Sequence, residues 1–489
     1  MSLDCTGFDE VVNNIPVTIH VNDNHKLLKL AKALPWEDML AAIMDDLKQT
    51  DKKRYWVGRP LRVRVHLGIF ILQQYFDLKD RESEQQLRDN AVFRLFCGFG
   101  IVEKWHIPDH TKIETFRSRL RPETKRHLAN LMAQQAVAMG FADPSHIDMD
   151  STVQEANISF PTIVSLLFKV ALYASTLARA LNTMCFASKK VFNVNLSEIK
   201  QLSLHYYKLR KNQADESLLL RAKKNIWSVV YQAVLPVMNN LHLLEKKIQR
   251  GKYWNIRYAM ERLRWRGMEF IKQSHAYLFE GEKNTVITSL HAYDVGYFNK
   301  GKLHKRVEFG RAFQLGRIAG NFFFVGECRS VYLPDAKSFP MMISLHQSLF
   351  NKSQIKSVAT DKGYYAWSNE KLLKEKGVES IYLPRPERTL SAPVPTISSE
   401  KRKQLHNRRA GIEPLIAHTK QGGQLGKSRM KSDSSTKSAG YCAVLGFNLR
   451  QLARYLTGEI YLKVENGENK PLNDNIYSAK NDREAVDHC

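Results

Sequence analysis

The sequence lacks the features of a secreted, disulfide-stabilised or zinc-binding protein. None of its cysteines forms a CxxC pair, so neither a zinc site nor a redox motif is predicted. The N-terminus, MSLDCTGFDE, is acidic and carries no apolar run, so we expect no signal peptide. Scattered thiols of this kind suit a reducing cytoplasm. The six cysteines are residues 5, 97, 185, 328, 442 and 489.

Long apolar runs are also scarce. One segment, IVSLLFKVALYASTLARALNTMCF from Ile163, approaches the length of a membrane span. Lys169 and Arg179 interrupt it, together with several Ser and Thr residues. These polar positions favour a buried or amphipathic helix, and we expect no membrane partner.

Acidic residues are few relative to basic ones. The chain has 74 Lys and Arg against 49 Asp and Glu, which gives a net charge of +25. Such a surplus favours an anionic partner, either nucleic acid or a membrane surface. At 489 residues the chain is too long for one ordinary core, so two to three domains are expected.

Residues 1–140 are predicted to form a helical domain. The helical pattern begins near residue 25, and the helix IPDHTKIETFRSRLR places three arginines in its last turns. Short helices with arginines at their ends are typical of helix-turn-helix-like DNA-binding modules. Those arginines are Arg117, Arg119 and Arg121.

The pattern then changes to that of a mixed α/β protein. SHIDMDSTV, residues 145–153, alternates as a strand does, and a helical block follows from about 163 to 275. Beyond about residue 276, consecutive strands give way to alternating helices and strands. This order predicts a mixed sheet with flanking helices. After Gly458 the tail is polar.

Three segments supply acidic residues that could do chemistry. Asp148 and Asp150 share one face of the predicted strand, and spacing alone does not choose between them. Asp361 follows an apolar strand and precedes Lys362–Gly363. Ligands of α/β sheets collect at the carboxyl ends of strands, although a strand followed by Asp and Gly is also an ordinary turn.

Glu413 is a single acid in a basic segment. From Arg385 to Lys437 there are 12 Lys or Arg residues against 4 Asp or Glu. In one predicted helix, KRKQLHNRRAGIEPLIAHTK, helical spacing places His406, Arg409 and Lys420 on the face of Glu413. Pro414 is expected to kink or restart this helix. Glu413 is therefore either an i, i+4 salt-bridge partner of Arg409 or a metal ligand.

These motifs together resemble the DDE transposases of bacterial insertion sequences, over roughly residues 30–457. HIDMDSTVQEANISFPT resembles the first-acid motif and selects Asp150 over Asp148, and VATDKGYY resembles the second-acid motif at Asp361. RRAGIEPLIAHTK resembles the Y-R-E-K signature, with Arg409, Glu413 and Lys420 matching in type and spacing. His406 stands where the family often has Tyr.

The resemblance implies an RNase H-like, retroviral-integrase-like α/β fold. It implies a catalytic domain over residues 143–457, interrupted by the helical insertion at about 163–275. The N-terminal helical domain, residues 1–140, would bind DNA, and residues 458–489 would form a polar C-terminal tail.

The resemblance also implies metal-dependent DNA cleavage and strand transfer. Asp150, Asp361 and Glu413 would be the catalytic metal ligands for Mg²⁺, with Mn²⁺ as a substitute. Arg409, Lys420, His406 and Lys362 would contact DNA.

The implied partner is double-stranded DNA, both transposon ends and target. The active complex would contain a homodimer, in the nucleoid-associated cytoplasm of a bacterium. The alternatives are a catalytically silent or nuclease-only DNA-binding protein of the same fold.

Overall fold

The structure is a computed structural model. It describes residues 5–12, 15–22, 24–49, 62–99, 107–248, 252–282, 287–299, 307–329, 333–385, 397–430 and 432–462. The chain divides into two compact units. Unit 1 comprises Met1–Asn157 with Gly310–Cys489, and unit 2 comprises Ile158–Phe309.

The helices that precede the sheet, and those of unit 2, are mostly two to six turns long. In unit 1 they are α1 (Lys26–Ala33), α2 (Trp36–Gln49), α3 (Val63–Phe76), α4 (Asp80–Asp89), α5 (Ala91–Cys97), α6 (His110–Arg119) and α7 (Pro122–Ala138). In unit 2 they are α8 (Ile163–Cys185), α9 (Leu196–Lys211), α10 (Glu216–Asn239), α11 (Leu241–Glu245), α12 (Trp254–Glu261) and α13 (Met268–His275), with π-helical turns at Arg262–Gly267 and Ala276–Glu280.

Five further helices follow in unit 1, around and after the sheet strands. They are α14 (Asp335–Leu349), α15 (Trp367–Glu375), α16 (Ser399–Ala410), α17 (Ile412–Gln421) and α18 (Asp433–Leu456), with a 3₁₀ turn at Lys362–Tyr364. The strands are β1 (Cys5–Val12), β2 (Ile15–Asn22), β3 (Asp143–Glu155), β4 (Gly296–Asn299), β5 (Val307–Ala319), β6 (Phe322–Val325), β7 (Ser357–Thr360) and β8 (Ser380–Tyr382).

Unit 1 is built around a mixed sheet, as its sequence pattern predicts. Its strands lie in the order β6-β5-β3-β7-β8. The β6-β5-β3 pairs are antiparallel, whereas β3-β7 and β7-β8 are parallel. The long strand β3 is therefore central, with antiparallel neighbours on one side and parallel neighbours on the other. Strands β1 and β2 form a separate antiparallel hairpin.

Side-chain amides complete the hydrogen bonding of the edge strand β6. Asn448 on α18 accepts from the Phe323 N–H at 3.0 Å and donates to the Phe323 carbonyl at 2.7 Å. Asn130 on α7 makes the equivalent pair with Val325, at 2.8 and 3.2 Å. A buried backbone group without a partner is costly. These two amides therefore attach α7 and α18 to the sheet.

Two arginines of the N-terminal helices have structural partners. Arg117 contacts Asp80 at 2.8 Å and so joins α6 to α4. Arg121 pairs with Asp46, whose side chain is fully buried on α2. Both guanidinium groups therefore stabilise the packing of this helical region, in addition to any role at its surface.

Unit 2 has its own apolar core, centred on α8. This helix packs against α9, α10, α11 and α12. Of the helices in the described residues, it is the one long and apolar enough to cross a membrane, and half of its most apolar window is buried. Its packing agrees with the predicted buried helix. The apolar side chains it contributes to the core include Val164, Leu167, Val170, Ala174, Leu177 and Leu181.

Replacing Asn448 by alanine should lower the free energy of unfolding by about 3 kcal/mol. The change leaves the N–H and C=O of Phe323 buried without partners. Urea unfolding followed by circular dichroism measures the loss. The exposed Asn407→Ala is the matched control and should change stability by less than about 0.5 kcal/mol. Equal losses in both variants would show that the amide does not anchor β6.

Candidate active site

Two neighbouring strands bring Asp150 and Asp361 to one place on the sheet. Strands β3 and β7 run parallel, and Met149 pairs with Thr360. Asp150 and Asp361 are the residues that follow this last pair, so they lie next to each other where the β3–β7 pairing ends. Asp361 follows the carboxyl end of β7, where ligands of α/β sheets collect, whereas β3 continues past Asp150 to Glu155.

A glycine lets the Asp361 carboxylate fold back onto the chain. Asp361 Oδ1 accepts a hydrogen bond from the Gly363 N–H at 2.9 Å and so caps the 3₁₀ turn. A Cβ atom at residue 363 would lie 3.2 Å from Asp361 Oδ1 and 3.3 Å from Asp335 Oδ2. Those distances are tight, so the absence of a side chain allows two carboxylates to approach the same point.

Asp335 is a third acid close to Asp361, and the sequence patterns did not predict it. The Tyr364 side chain is fully buried. Burial raises the pKa of its hydroxyl well above the usual value, and Asp335, Asp150 and Asp361 raise that pKa further. All three carboxylates therefore lie near one hydroxyl. The available signal was an acid directly after Pro334 at a helix start, which usually indicates only a favourable interaction with the helix dipole.

Asp148 has a different environment from Asp150, although the two share a strand face. It is 3% exposed. Arg317 on β5 donates from Nε to Asp148 Oδ2 at 3.0 Å, and Arg408 on α16 donates from Nε to Asp148 Oδ1 at 2.9 Å. Asp148 is therefore a structural ion-pair partner, whereas Asp150 is only half-buried.

The helix that carries Glu413 differs from the one predicted. Instead of one helix over residues 401–420, α16 ends at Ala410 and α17 begins at Ile412, with Gly411 between them. Pro414 lies in the first turn of α17, where its missing N–H would have no helical partner anyway. The break thus precedes Glu413. Lys420 remains in the same helix as Glu413, but His406 does not.

Glu413 itself makes the salt bridge of the simpler interpretation. Arg409 Nη2 lies 3.2 Å from Glu413 Oε1, and the Glu413 side chain is 62% exposed. His406 is exposed and its Nδ1 lies 3.0 Å from the Tyr382 hydroxyl. Lys362 is also exposed, directly after Asp361.

The carboxylates near the end of the β3–β7 pairing have the chemistry that a divalent cation requires. Asp150, Asp335 and Asp361 offer the hard oxygen ligands that Mg²⁺ prefers. Within the described ranges, however, no three His, Cys, Asp or Glu side chains come close enough together to hold a metal ion. The structure therefore brings Asp150 and Asp361 together without adding Glu413 to them as a third ligand.

Comparison with known proteins gives two matches. Residues 17–119 match a family described as a transposase domain (DUF772). A protein of Rhizobium meliloti named uncharacterized protein ORF8 in nfe locus is 27% identical over 153 residues, which cover 30% of this chain and 70% of that protein. No solved structure matches. Residues 17–119 are thus similar to a transposase domain. The matches are consistent with the insertion-sequence transposase family that its motifs resemble, and this resemblance is confirmed.

The two neighbouring acids of β3 should respond differently to removal. Asp148→Ala leaves Arg317 and Arg408 without their buried anion and should cost about 3 kcal/mol of unfolding free energy. Asp150→Ala should cost less than about 1 kcal/mol, because it also relieves repulsion from nearby carboxylates. Urea unfolding of both variants tests the contrast. A larger loss for Asp150→Ala would contradict the assignment of Asp148 as the structural acid.

Proposed function

We propose that this protein is a DDE transposase. It would bind the terminal inverted repeats of an insertion sequence, cleave the DNA there and join the exposed 3′-OH to target DNA. One observation carries the proposal: Asp150 and Asp361 lie next to each other where the pairing of the parallel strands β3 and β7 ends, in a chain whose residues 17–119 match a transposase domain.

The topology of the sheet supports an RNase H-like catalytic domain. That fold was implied by the motifs, and it requires the two aspartates on adjacent strands. The central strand β3 carries the first aspartate, and β7, which pairs with it in parallel, leads into the second. The helical unit 2 enters between β3 and the unit 1 part of β5, where an insertion was expected.

Each candidate residue has a role in the proposed reaction. Mg²⁺, or Mn²⁺ in its place, would be held by Asp150 and Asp361 with Glu413 as third ligand, and would supply an activated nucleophile and charge stabilisation at phosphorus. Arg409 would hold a phosphate of the bound end through two parallel hydrogen bonds, and Lys420 would act as a point charge.

Charge supports DNA as the partner. The segment Ile158–Phe309 contains 25 Lys or Arg residues against 10 Asp or Glu, so it carries +15 of the net +25. Contacts from such residues to phosphates are independent of base sequence and weaken steeply with salt. His406 and Lys362, both exposed, would add donors near the active site. Two transposon ends have to be held together, so a homodimer in the nucleoid-associated cytoplasm is part of the proposal.

One observation favours a second candidate, a catalytically silent DNA-binding protein of the same fold. Glu413 is paired with Arg409, and its side chain is largely exposed. If that pairing is its whole role, the site has the two aspartates and no glutamate ligand. Such a protein would bind DNA without cutting it.

Cleavage of a duplex that carries the gene's flanking terminal sequences distinguishes these candidates. We expect Mg²⁺- or Mn²⁺-dependent nicking at the repeat boundary, lost by at least 100-fold in Asp361→Asn and in Glu413→Gln. Removal of a metal ligand from a catalytic site justifies that magnitude. Glu400→Gln is the matched control, since it makes the same charge change at an exposed position of the neighbouring helix α16.

Each alternative has its own outcome. Salt-sensitive binding with no cleavage in any variant indicates the silent DNA-binding protein. Cleavage whose products never join a second DNA indicates a nuclease. Cleavage that is lost in Asp361→Asn but kept in Glu413→Gln shows an active enzyme in which Glu413 is only a salt-bridge partner.

A further inference from the structure

We propose that a hydrogen-bond chain of Tyr364, Gln314, Asp335 and Ser151 holds Asp150 and Asp361 in place. Tyr364, Gln314 and Asp335 are then positioning residues of the active site. This inference rests on the proposed function, because it concerns the two aspartates assigned there to the metal.

The chain crosses four structural elements. The Tyr364 hydroxyl donates to Gln314 Oε1 at 2.5 Å, and Gln314 Nε2 donates to Asp335 Oδ1 at 2.7 Å. From the other side, Ser151 Oγ donates to Asp335 Oδ2 at 3.1 Å. A carboxylate can only accept, so Gln314 must present its amide N–H to Asp335 and its oxygen to Tyr364.

Both ends of the chain are attached next to the proposed metal ligands. Ser151 directly follows Asp150 on β3, and Tyr364 closes the 3₁₀ turn that Asp361 caps. A shift of β3 or of the 3₁₀ turn would stretch these bonds. Tyr364 is fully buried and Gln314 is 7% exposed, so water does not readily replace a lost partner there. The hydrogen-bond chain thereby links the backbone next to Asp150 with the turn that follows Asp361, without using either aspartate side chain.

Uncharged groups hold the Asp335 side chain. Both of its hydrogen-bond donors, the Gln314 amide and the Ser151 hydroxyl, are uncharged. Among the described residues, no Lys, Arg or His forms a salt bridge with it. An acid in the first turn of a helix needs only the helix dipole to explain it. Asp335 also accepts hydrogen bonds from β3 and β5, which the helix dipole does not require. These two bonds explain why residue 335 carries a hydrogen-bond acceptor.

The first test removes one hydroxyl. The Tyr364 ring packs edge-on against Phe339 with centroids 6.2 Å apart, so Tyr364→Phe should keep the packing and lose only the bond to Gln314. Mn²⁺ binding, followed by the electron paramagnetic resonance signal of the free ion, should weaken about 10-fold, as is common when the partners of metal ligands are altered. Tyr365→Phe, at the neighbouring tyrosine, is the matched control and should bind Mn²⁺ as the wild type does.

The second test separates position from charge at Asp335. Asp335→Asn can still accept from Gln314, and its new N–H₂ can donate to Ser151 Oγ, so it should bind Mn²⁺ within about threefold of the wild type. Asp335→Ala breaks both bonds and should bind about 10-fold more weakly. Thermal unfolding of each variant shows whether a loss comes from the site or from the whole fold.

The outcomes distinguish this inference from the proposed function. If Asp335→Asn is as damaging as Asp335→Ala, the charge matters and the positioning role is overturned. Unchanged Mn²⁺ binding in both Tyr364→Phe and Asp335→Ala also overturns it. A wild-type protein that binds no Mn²⁺ overturns both proposals. Mn²⁺ binding that weakens in Tyr364→Phe and Asp335→Ala but not in Asp335→Asn, without DNA cleavage, supports the positioning role and overturns the transposase.

Discussion

A single buried carboxylate ties together the parts of unit 1 that carry the candidate site. Asp148 on β3 binds Arg317 on β5 and Arg408 on α16. Arg408 also donates to the Ser357 hydroxyl at 2.6 Å and to the Ile147 carbonyl at 3.2 Å. A buried ion pair of this kind adds little net stability over apolar packing, but breaking it is costly. Its effect is therefore to specify where α16 lies on the sheet.

The position of Glu413 depends on where Arg317 contacts α16. Arg317 also donates to the Arg408 carbonyl in the last turn of α16. A Cβ atom at residue 411 would lie 3.0 Å from Arg317 Nη1 and 3.2 Å from that carbonyl, so glycine permits the close approach. The helix stops there, the chain starts α17, and Glu413 falls in its first turn. The ion pairs of Asp148, Arg317 and Arg408 thus determine both where α16 lies on the sheet and where it ends.

Local patterns predicted the sheet and an acid on each of two strand segments, but not the contacts that distinguish Asp148 from Asp150. Alternation in β3 and an acid after β7 depend on neighbours in the chain, so the sequence displays them. Spacing could not separate Asp148 from Asp150, because the two arginines that bind Asp148 are 169 and 260 residues away. Asp335 was not predicted for the same reason, because its partner Ser151 is 184 residues away in the sequence. The helix break was expected at Pro414 and not at Gly411, because only tertiary packing shows how closely Arg317 approaches.

Glu413 is held by one weak salt bridge. Its bond to Arg409 joins residues four apart on the helical path, with the carboxylate 62% exposed. Exposed pairs of this kind contribute a few tenths of a kcal/mol to about 1 kcal/mol. A DNA phosphate offers Arg409 a bidentate partner, and a divalent cation attracts the carboxylate more strongly than one guanidinium does. The salt bridge is therefore too weak to confine Glu413. Such a bond does not prevent the Glu413 carboxylate from exchanging Arg409 for a cation.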